Sequence, residues 1–154
     1  MSHGSPHEDW RAGARTLRER APRTLLFLCV ANSARSQMAE GLARALAPEG
    51  VTVASAGSRP TSVRPEAVAV MAEIDIDISG HRSTDVADVA PDGVDAVVTL
   101  CADEVCPAFL GDALRIHWGL PDPAAVQGDA GTRLDAFRAT RDELHRRLAV
   151  VFPG

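Results

Sequence analysis

Residues 25–36 read LLFLCVANSARS: an apolar run that ends in a cysteine, a loop of mostly small residues, and an arginine followed by a serine. The run from residue 24 to Cys29 predicts a buried strand with apolar residues on both faces, as in parallel sheets. Residues 36–47 carry apolar side chains at helical spacing, and Pro48 ends that pattern. A thiol between a strand and a helix N-terminus lies where unpaired backbone N–H groups converge, which suits an anion. The stretch therefore predicts a nucleophile, Cys29, that faces a bound oxyanion.

The rest of the chain alternates in the same way between strand and helix patterns. Further strands are predicted at 51–55, 95–101 and 114–118, and further helices at 65–74, 83–89 and 132–151. Strands that alternate with helices are typical of a parallel α/β fold. We therefore predict a four-stranded parallel sheet with helices on both faces. In such sheets, ligands bind outside the carboxyl ends of the strands.

Composition excludes several classes of protein. The net charge of −5 comes without the basic stripe of a nucleic-acid-binding protein, and no apolar run approaches the roughly 18 residues of a membrane span. His81, His117 and His145 are too scattered for a metal centre, so none is predicted. Three cysteines are an odd number, which argues against the disulfide framework of a secreted protein. We therefore expect reduced thiols and a cytoplasmic location, and we expect a monomer.

Residues 1–22 differ in character from the remainder of the chain. They are polar and charged and are interrupted by glycines and prolines. This predicts a mobile tail rather than the short helix that Trp10 and Leu17 would otherwise allow. Residues 23–154 then form a single catalytic domain, which is long enough for one well-formed core.

Side chains of the loop after the first strand complete a candidate anion site. The planar guanidinium of Arg35 can hold two oxygens of a tetrahedral anion at once. Hydrogen bonds from Ser36 and the loop amides to a Cys29 thiolate are worth about 1.5–3 kcal/mol each, more than the roughly 0.3–1 kcal/mol of a helix dipole. Asn32 can order the loop through side-chain to backbone hydrogen bonds. The predicted substrate-binding residues are Asn32, Ser33, Ala34, Arg35 and Ser36.

A candidate general acid comes after the fourth predicted strand. Asp122 stands between Pro121 and Pro123, and the two prolines restrict the backbone that aims its carboxyl group. Displacement of an oxide or hydroxide from a central atom needs such an acid. An aspartate that only stabilises a turn is the alternative, and the local pattern favours neither interpretation.

Two further cysteines separate the possible functions. If the first and third strands are neighbours, Cys29 and Cys101 lie about 5 Å apart laterally, close enough to meet. A phosphatase needs one cysteine, whereas a thiol reductase needs partners that take up oxidation as disulfides. Cys101 as a packing residue and Cys106 as an inert loop residue are the alternatives, but the pair favours redox chemistry. Residues five apart on a helix point about 140° away from each other, so a disulfide between these two needs a loop or local unwinding.

These motifs resemble the thioredoxin-coupled arsenate reductases, which share the fold of the low-molecular-weight protein tyrosine phosphatases. The similar segments extend over nearly all of residues 23–154. They include CVANSARSQMAEG (29–41), SAG (55–57), DIDIS (75–79), VVTLC (97–101), HWG (117–119) and DPA (122–124). The anion loop fits the whole superfamily, whereas the TLC and HWG segments are more particular to the reductases.

The resemblance implies a relay of three cysteines. Cys29 would attack arsenate that Arg35 and the loop amides hold, and Asp122 would protonate the leaving oxygen. Cys101 would then attack Cys29, which releases arsenite and leaves a disulfide between the two. Cys106 would convert it into a Cys101–Cys106 disulfide, which thioredoxin reduces. The spacing between these two cysteines is shorter than is usual in the family, and Ala34 replaces a cysteine that is often found in the loop.

This mechanism requires no cofactor, and the resemblance implies a potassium ion as an optional ligand. Some relatives bind potassium near the loop through residues that correspond to Asn32, Glu40 and Ser55. Thr84 stands where the acidic partner is expected, with Asp85 beside it.

Three other functions compete with arsenate reduction by thioredoxin. The first is a phosphatase of the same fold, but Ala124 replaces the aromatic residue that usually comes after its Asp-Pro, and the chain contains no tyrosine. The second is a phosphate-carrying or arsenic-sensing module, which would need no general acid. The third is arsenate reduction by a small thiol, which would make Cys106 dispensable.

Overall fold

Four parallel strands form the centre of the structure, a computed structural model that describes residues 6–102 and 111–153. The strands are β1 (Thr24–Cys29), β2 (Thr52–Gly57), β3 (Ala96–Thr99) and β4 (Leu114–His117), in the order β2-β1-β3-β4. The helices are α1 (Pro6–Arg20), α2 (Arg35–Leu46), α3 (Pro65–Ala72) and α4 (Ala130–Val151). The predicted parallel sheet is confirmed, and β1 and β3 are neighbours, as the cysteine argument requires. Among the described residues, no helix is long and apolar enough to cross a membrane.

The central strand β1 has core on both of its faces. Leu25 and Phe27 belong to the larger apolar cluster, to which every described α-helix contributes. Leu26 and Leu28 belong to a smaller cluster on the opposite face. Because both sets of alternating side chains are buried, the strand reads as one continuous apolar run.

Helical segments cover the two faces unequally. The described α-helices all pack on the larger cluster, whereas Val86 of the 3₁₀ helix Val86–Asp88 packs against the smaller one. The helix that we predicted over residues 83–89 is shorter, because the chain there also contacts the end of β2. Asp85 pairs with Gly57 as an isolated parallel bridge, and its side chain accepts a hydrogen bond from Ala87 N (2.9 Å). The chain is therefore still extended at Asp85 and can complete only one turn before Val89.

The prediction of a mobile tail over residues 1–22 is wrong for Pro6–Arg20, which form helix α1. Trp10, Ala14 and Leu17 are buried in the larger cluster at a spacing that places them on one helix face. Gly13 is not a break in the pattern. It is the point of close approach to β4, because a Cβ there would lie 2.7 Å from Ile116 Cγ2. The residues that pack against this narrow apolar face of α1 are distant in the sequence. The local pattern of residues 6–20 therefore did not indicate a packed helix.

Candidate active site

The predicted anion site lies at the carboxyl edge of the sheet. Cys29 is the last residue of β1 and Arg35 is the first residue of α2. These two residues, four residues of the loop between them and Asp122 line a cavity of about 180 Å³. This volume falls below the roughly 300–1,000 Å³ of pockets for drug-sized ligands, so the cavity fits a small anion. The structure therefore brings together Cys29, Arg35 and Asp122, which the sequence separates by up to 93 positions.

The backbone carbonyl groups of loop residues 30–33 all accept hydrogen bonds from residues that do not line this cavity. Backbone N–H groups of a later segment donate to three of them: Arg59 N to Val30 O (2.9 Å), Thr61 N to Ala31 O (3.1 Å) and Arg64 N to Ser33 O (2.9 Å). The Asn32 carbonyl accepts from Ser83 Oγ (2.7 Å). In a trans peptide the N–H points opposite to the C=O, and every peptide bond in the described part of the chain is trans. The loop N–H groups therefore face the cavity side, which makes a nest for an anion.

Cys29 is a free thiol at the base of the site, with 2% of its surface exposed. Its Sγ lies 2.8 Å from Ser36 Oγ. Asn32 Nδ2 donates a hydrogen bond to that same hydroxyl oxygen (2.7 Å). Because the Ser36 oxygen already accepts from Asn32, its hydrogen is available for Cys29. Ser36 is therefore placed to donate to a Cys29 thiolate.

The orientation of Asn32 is set by its other contacts. Its Oδ1 accepts from the backbone N–H of Thr84 (2.8 Å), which only a carbonyl oxygen can do. The amide nitrogen is thereby turned toward Ser36 and toward Ser55 Oγ (2.9 Å), and Ser55 donates in turn to Glu40 Oε1 (2.6 Å). Asn32 adopts a left-handed backbone conformation (φ 49°), which asparagine tolerates better than most residues. The network thus fixes both the loop and the direction of its hydrogen bonds.

Arg35 is held by backbone carbonyls that come after β3 and β4. Its Nη1 donates to Leu120 O (2.8 Å) and to Leu100 O (3.4 Å), and 4% of the residue is exposed. Its Nη2 lies 4.0 Å from Asp122 Oδ2. The anchored Nη1 sets the plane of the guanidinium, so the fork is oriented before an anion arrives.

The structure shows Asp122 stabilising a turn, and its role as the general acid stays a prediction. Its Oδ1 accepts from Ala124 N (3.0 Å) and caps the 3₁₀ helix Pro123–Ala125, as a turn aspartate does. Its other oxygen, Oδ2, faces Arg35 at the cavity, and the side chain is 35% exposed. One oxygen fixes the carboxyl group and leaves the second available for proton transfer.

Of the other two cysteines, the structure describes Cys101 alone. Cys101 lies two residues after β3, the strand that neighbours β1 in the sheet. It is 1% exposed. Cys101 is disulfide-bonded. Cys106 lies outside the described residues, so its predicted role stays a prediction.

Sequence reasoning missed several groups that build the site. The Thr84 N–H and the Leu120 carbonyl are backbone atoms, which carry no residue-type signal. Gln37 Nε2 donates to Asn32 O and Oδ1 (3.1 Å each), and its place inside the SQMAEG segment was the one available hint. Gly57 lets the loop cross the end of β2, because a Cβ there would lie 2.3 Å from Val30 O.

The residues proposed for potassium do not fit a cation. Asn32 turns its NH₂ group, not its oxygen, toward Ser55. The Glu40 oxygens are engaged by Ser55 Oγ and by the guanidinium of Arg44, whose Nη2 lies 3.0 Å from Oε2. A cation would have to displace a fixed positive charge and find oxygens that already accept hydrogen bonds. No catalytic step is therefore assigned to potassium.

Comparisons with known proteins agree with this geometry. The profile of the family described as "Low molecular weight phosphotyrosine protein phosphatase" matches residues 24–152. An arsenate reductase of Halalkalibacterium halodurans is 41% identical over 128 residues, which are 82% of this chain and 92% of the relative.

Solved structures extend the comparison to three dimensions. An arsenate reductase in its phosphate-binding state is 34% identical, with a TM-score of 0.74 over 85% of this chain and 97% of that one. A thioredoxin-dependent arsenate reductase of Corynebacterium glutamicum is 26% identical, with a TM-score of 0.57 over 92% of this chain and 70% of that one. The chain belongs to the low molecular weight phosphotyrosine protein phosphatase family and, within that fold, to the arsenate reductases.

Proposed function

We propose that the chain reduces arsenate to arsenite through Cys29, Cys101 and Cys106, with thioredoxin as the electron donor. One observation carries the proposal. The buried Cys29 Sγ lies 2.8 Å from Ser36 Oγ at the base of a small anion cavity, and a second cysteine, Cys101, comes two residues after the adjacent strand. The identity to arsenate reductases over most of the chain supports the choice of substrate.

In the first step, arsenate occupies the loop with its oxygens on the loop N–H groups and Arg35. The Cys29 thiolate attacks arsenic, so a sulfur–arsenic bond forms. One arsenic–oxygen bond breaks, and Asp122 gives its proton to the leaving oxygen, which departs as water. Support for this assignment comes from the Ser36 contact with Sγ and from Asp122 Oδ2, which does not cap the 3₁₀ helix and lies 4.0 Å from Arg35 Nη2.

In the second step, Cys101 attacks Cys29 Sγ as a thiolate, after thioredoxin has reduced the disulfide in which the structure shows Cys101. A disulfide forms while the sulfur–arsenic bond breaks, and the electron pair of that bond stays on arsenic. Arsenic is thereby reduced by two electrons and leaves as arsenite, and the two thiols are oxidised. The neighbouring positions of β1 and β3 at the same sheet edge support this step.

In the third step, the Cys106 thiolate attacks Cys101 and releases Cys29 as a thiolate. The dithiol of thioredoxin then supplies two electrons to the Cys101–Cys106 disulfide. The thioredoxin-dependent relative supports this choice of reductant. A cycle that must be reset by thioredoxin suits the reducing cytoplasm. The expected monomer is checked by light scattering during size-exclusion chromatography.

The test combines single-turnover and steady-state measurements on Cys29→Ser, Cys101→Ser and Cys106→Ser. In steady state with thioredoxin, its reductase and NADPH, all three variants are expected to lose arsenate turnover. In a single turnover without thioredoxin, Cys106→Ser still releases one arsenite per protein, because the disulfide between residues 29 and 101 forms without it. Cys101→Ser releases none.

Hydrolysis of p-nitrophenyl phosphate provides the control for the phosphatase alternative. Only Cys29→Ser is expected to lose any such activity, because the other two cysteines take no part in hydrolysis. Full arsenate turnover by Cys101→Ser would refute the relay. Full turnover by Cys106→Ser with glutathione in place of thioredoxin would instead identify a small thiol as the reductant.

A further inference from the structure

We propose that helix α1, which precedes the part of the chain matched by the family profile, is a positioning element for the active site. It acts through a cluster of three side chains, Trp10, Trp118 and Arg147, called here the tryptophan cluster. The cluster holds the segment after β4, and that segment in turn orients Arg35 and borders Cys101. The inference concerns the anion site and rests on the proposed function only for its arsenate readout.

The tryptophan cluster ties α1 to the segment directly after β4. The rings of Trp10 and Trp118 meet edge to face, with centroids 6.4 Å apart and an interplanar angle of 88°. Trp118 Nε1 donates to the backbone carbonyl of Trp10 (3.2 Å). The guanidinium carbon of Arg147 lies 5.5 Å and 6.0 Å from the two ring centroids. Without α1, the buried indole N–H of Trp118 would lose its hydrogen-bond acceptor and the ring would lose its cover.

Gly13 brings the helix close enough for these contacts. A Cβ at Gly13 would lie 2.7 Å from Ile116 Cγ2 and 3.2 Å from Trp118 Nε1. No side chain fits between α1 and β4 at this point. The helix is therefore seated directly against the end of β4 and the first residue after it.

Two backbone contacts connect Trp118 to the reacting groups. Trp118 N donates to Thr99 O (2.7 Å), and Leu120 N donates to Leu100 O (3.0 Å), so the segment continues alongside the chain that leads to Cys101. Leu120 O is the acceptor that anchors Arg35 Nη1. A Cβ on Gly119 would lie 3.0 Å from Cys101 O, which shows how tightly the two segments meet. A shift of Trp118 is therefore transmitted to the substrate arginine and to Cys101.

The alternative is that α1 adds only to global stability. The two roles differ in what they predict for a folded variant. A helix that only stabilises changes the melting temperature and leaves the affinity of folded protein for an anion unchanged. A positioning helix changes that affinity under conditions where the protein is fully folded.

The experiment adds a side chain at Gly13 and measures phosphate binding to the reduced protein. Trp10 and Trp118 are the only tryptophans of the chain, so intrinsic fluorescence reports on the tryptophan cluster alone. We expect phosphate to change this fluorescence in the wild type. In Gly13→Val, the phosphate Kd rises about tenfold or more, since misplacement of an orienting group by about 1 Å can cost about 100-fold. The kcat/KM for arsenate falls in parallel.

Two further variants control for the effects of the added side chain itself and of helix unfolding. Ala12→Val adds the same side chain on the exposed face of α1 and is expected to leave the phosphate Kd unchanged. Gly13→Ala favours the helical conformation of α1 and adds only the Cβ, so weaker phosphate binding in this variant cannot come from a melted helix. A phosphate Kd within twofold of the wild type in both Gly13 variants, with a lowered melting temperature, would overturn the proposal. Because phosphate binding needs no arsenate turnover, failure of the proposed function would be seen separately.

Discussion

At the scale of single residues, the site depends on side chains whose hydrogen bonds have a fixed direction. The Thr84 N–H donates to Asn32 Oδ1 and so orients the Asn32 amide. Asn32 Nδ2 donates to Ser36 Oγ, which leaves the Ser36 hydroxyl hydrogen available to Cys29 Sγ. Each link uses a neutral group, so the thiolate is stabilised without a charged partner among these contacts. The buried sulfur of Cys29 therefore has a hydroxyl donor within hydrogen-bond distance.

Ser36→Ala is expected to slow the alkylation of Cys29 by iodoacetamide at neutral pH by about 10- to 100-fold, since a hydrogen bond to a charged group is worth about 1.5–3 kcal/mol. Arsenate turnover should fall by a similar factor. The exposed Ser58→Ala is the matched control and should react like the wild type. Equal alkylation rates in the two variants would show that Ser36 does not stabilise the thiolate.

Asp122→Asn separates the two roles of this aspartate. An asparagine oxygen can still accept from Ala124 N and cap the 3₁₀ helix, but the side chain has no proton to transfer. We expect an unchanged melting temperature and a loss of arsenate turnover of about 10²- to 10⁴-fold. Asp122→Ala should lower both. Wild-type turnover by the asparagine variant would exclude Asp122 as the general acid.

At the scale of elements, two ion pairs at the Glu73 carboxylate connect the end of α3 to α4. Glu73, at the end of α3, accepts hydrogen bonds from Arg138 and Arg141 of α4. Arg141 Nη1 also donates to Val70 O (2.7 Å), so it binds the end of α3 at two points. The hydrogen bonds from Arg138 and Arg141 lower the pKa of Glu73 from its ordinary value of 4.5 to about 2.

A pKa that is lower in the folded protein than in the unfolded chain means that folding favours the ionised carboxylate. The stabilisation is therefore present above pH 4.5 and is lost as the pH falls toward about 2. Glu73→Gln should unfold at a lower urea concentration than the wild type at pH 7, and this difference should shrink between pH 4.5 and pH 2. A difference that stays constant over this range would contradict the assignment.

At the scale of the whole molecule, α1 belongs to the same cooperative unit as the catalytic domain. Trp10, Ala14 and Leu17 share one apolar cluster with the sheet and the other helices. Urea unfolding followed by tryptophan fluorescence should therefore coincide with unfolding followed by circular dichroism, as in a two-state transition. If α1 detached first, the fluorescence midpoint would come at a lower urea concentration, because both tryptophans report on its contacts.

Prediction from sequence succeeded where the signal is local. The strand Thr24–Cys29 was predicted at its observed bounds because it is apolar on both faces. Cys29, Arg35 and Ser36 lie within eight residues of one another, so their spacing could indicate an anion loop directly. The predicted helix over residues 83–89 failed because a bridge between Gly57 and Asp85, distant in the sequence, keeps the chain extended there.

Local side-chain patterns were sufficient to predict the strand, loop and helix that present the nucleophile, since these elements depend on neighbouring residues. The contacts that hold the site form only in the folded chain. The carbonyl of Leu120 orients Arg35, the N–H groups of residues 59–64 turn the loop carbonyls outward, and α1 covers Trp118. Backbone atoms are the same at nearly every residue, and these contacts join distant segments. Such contacts leave no pattern in the sequence and exist only once the chain has folded.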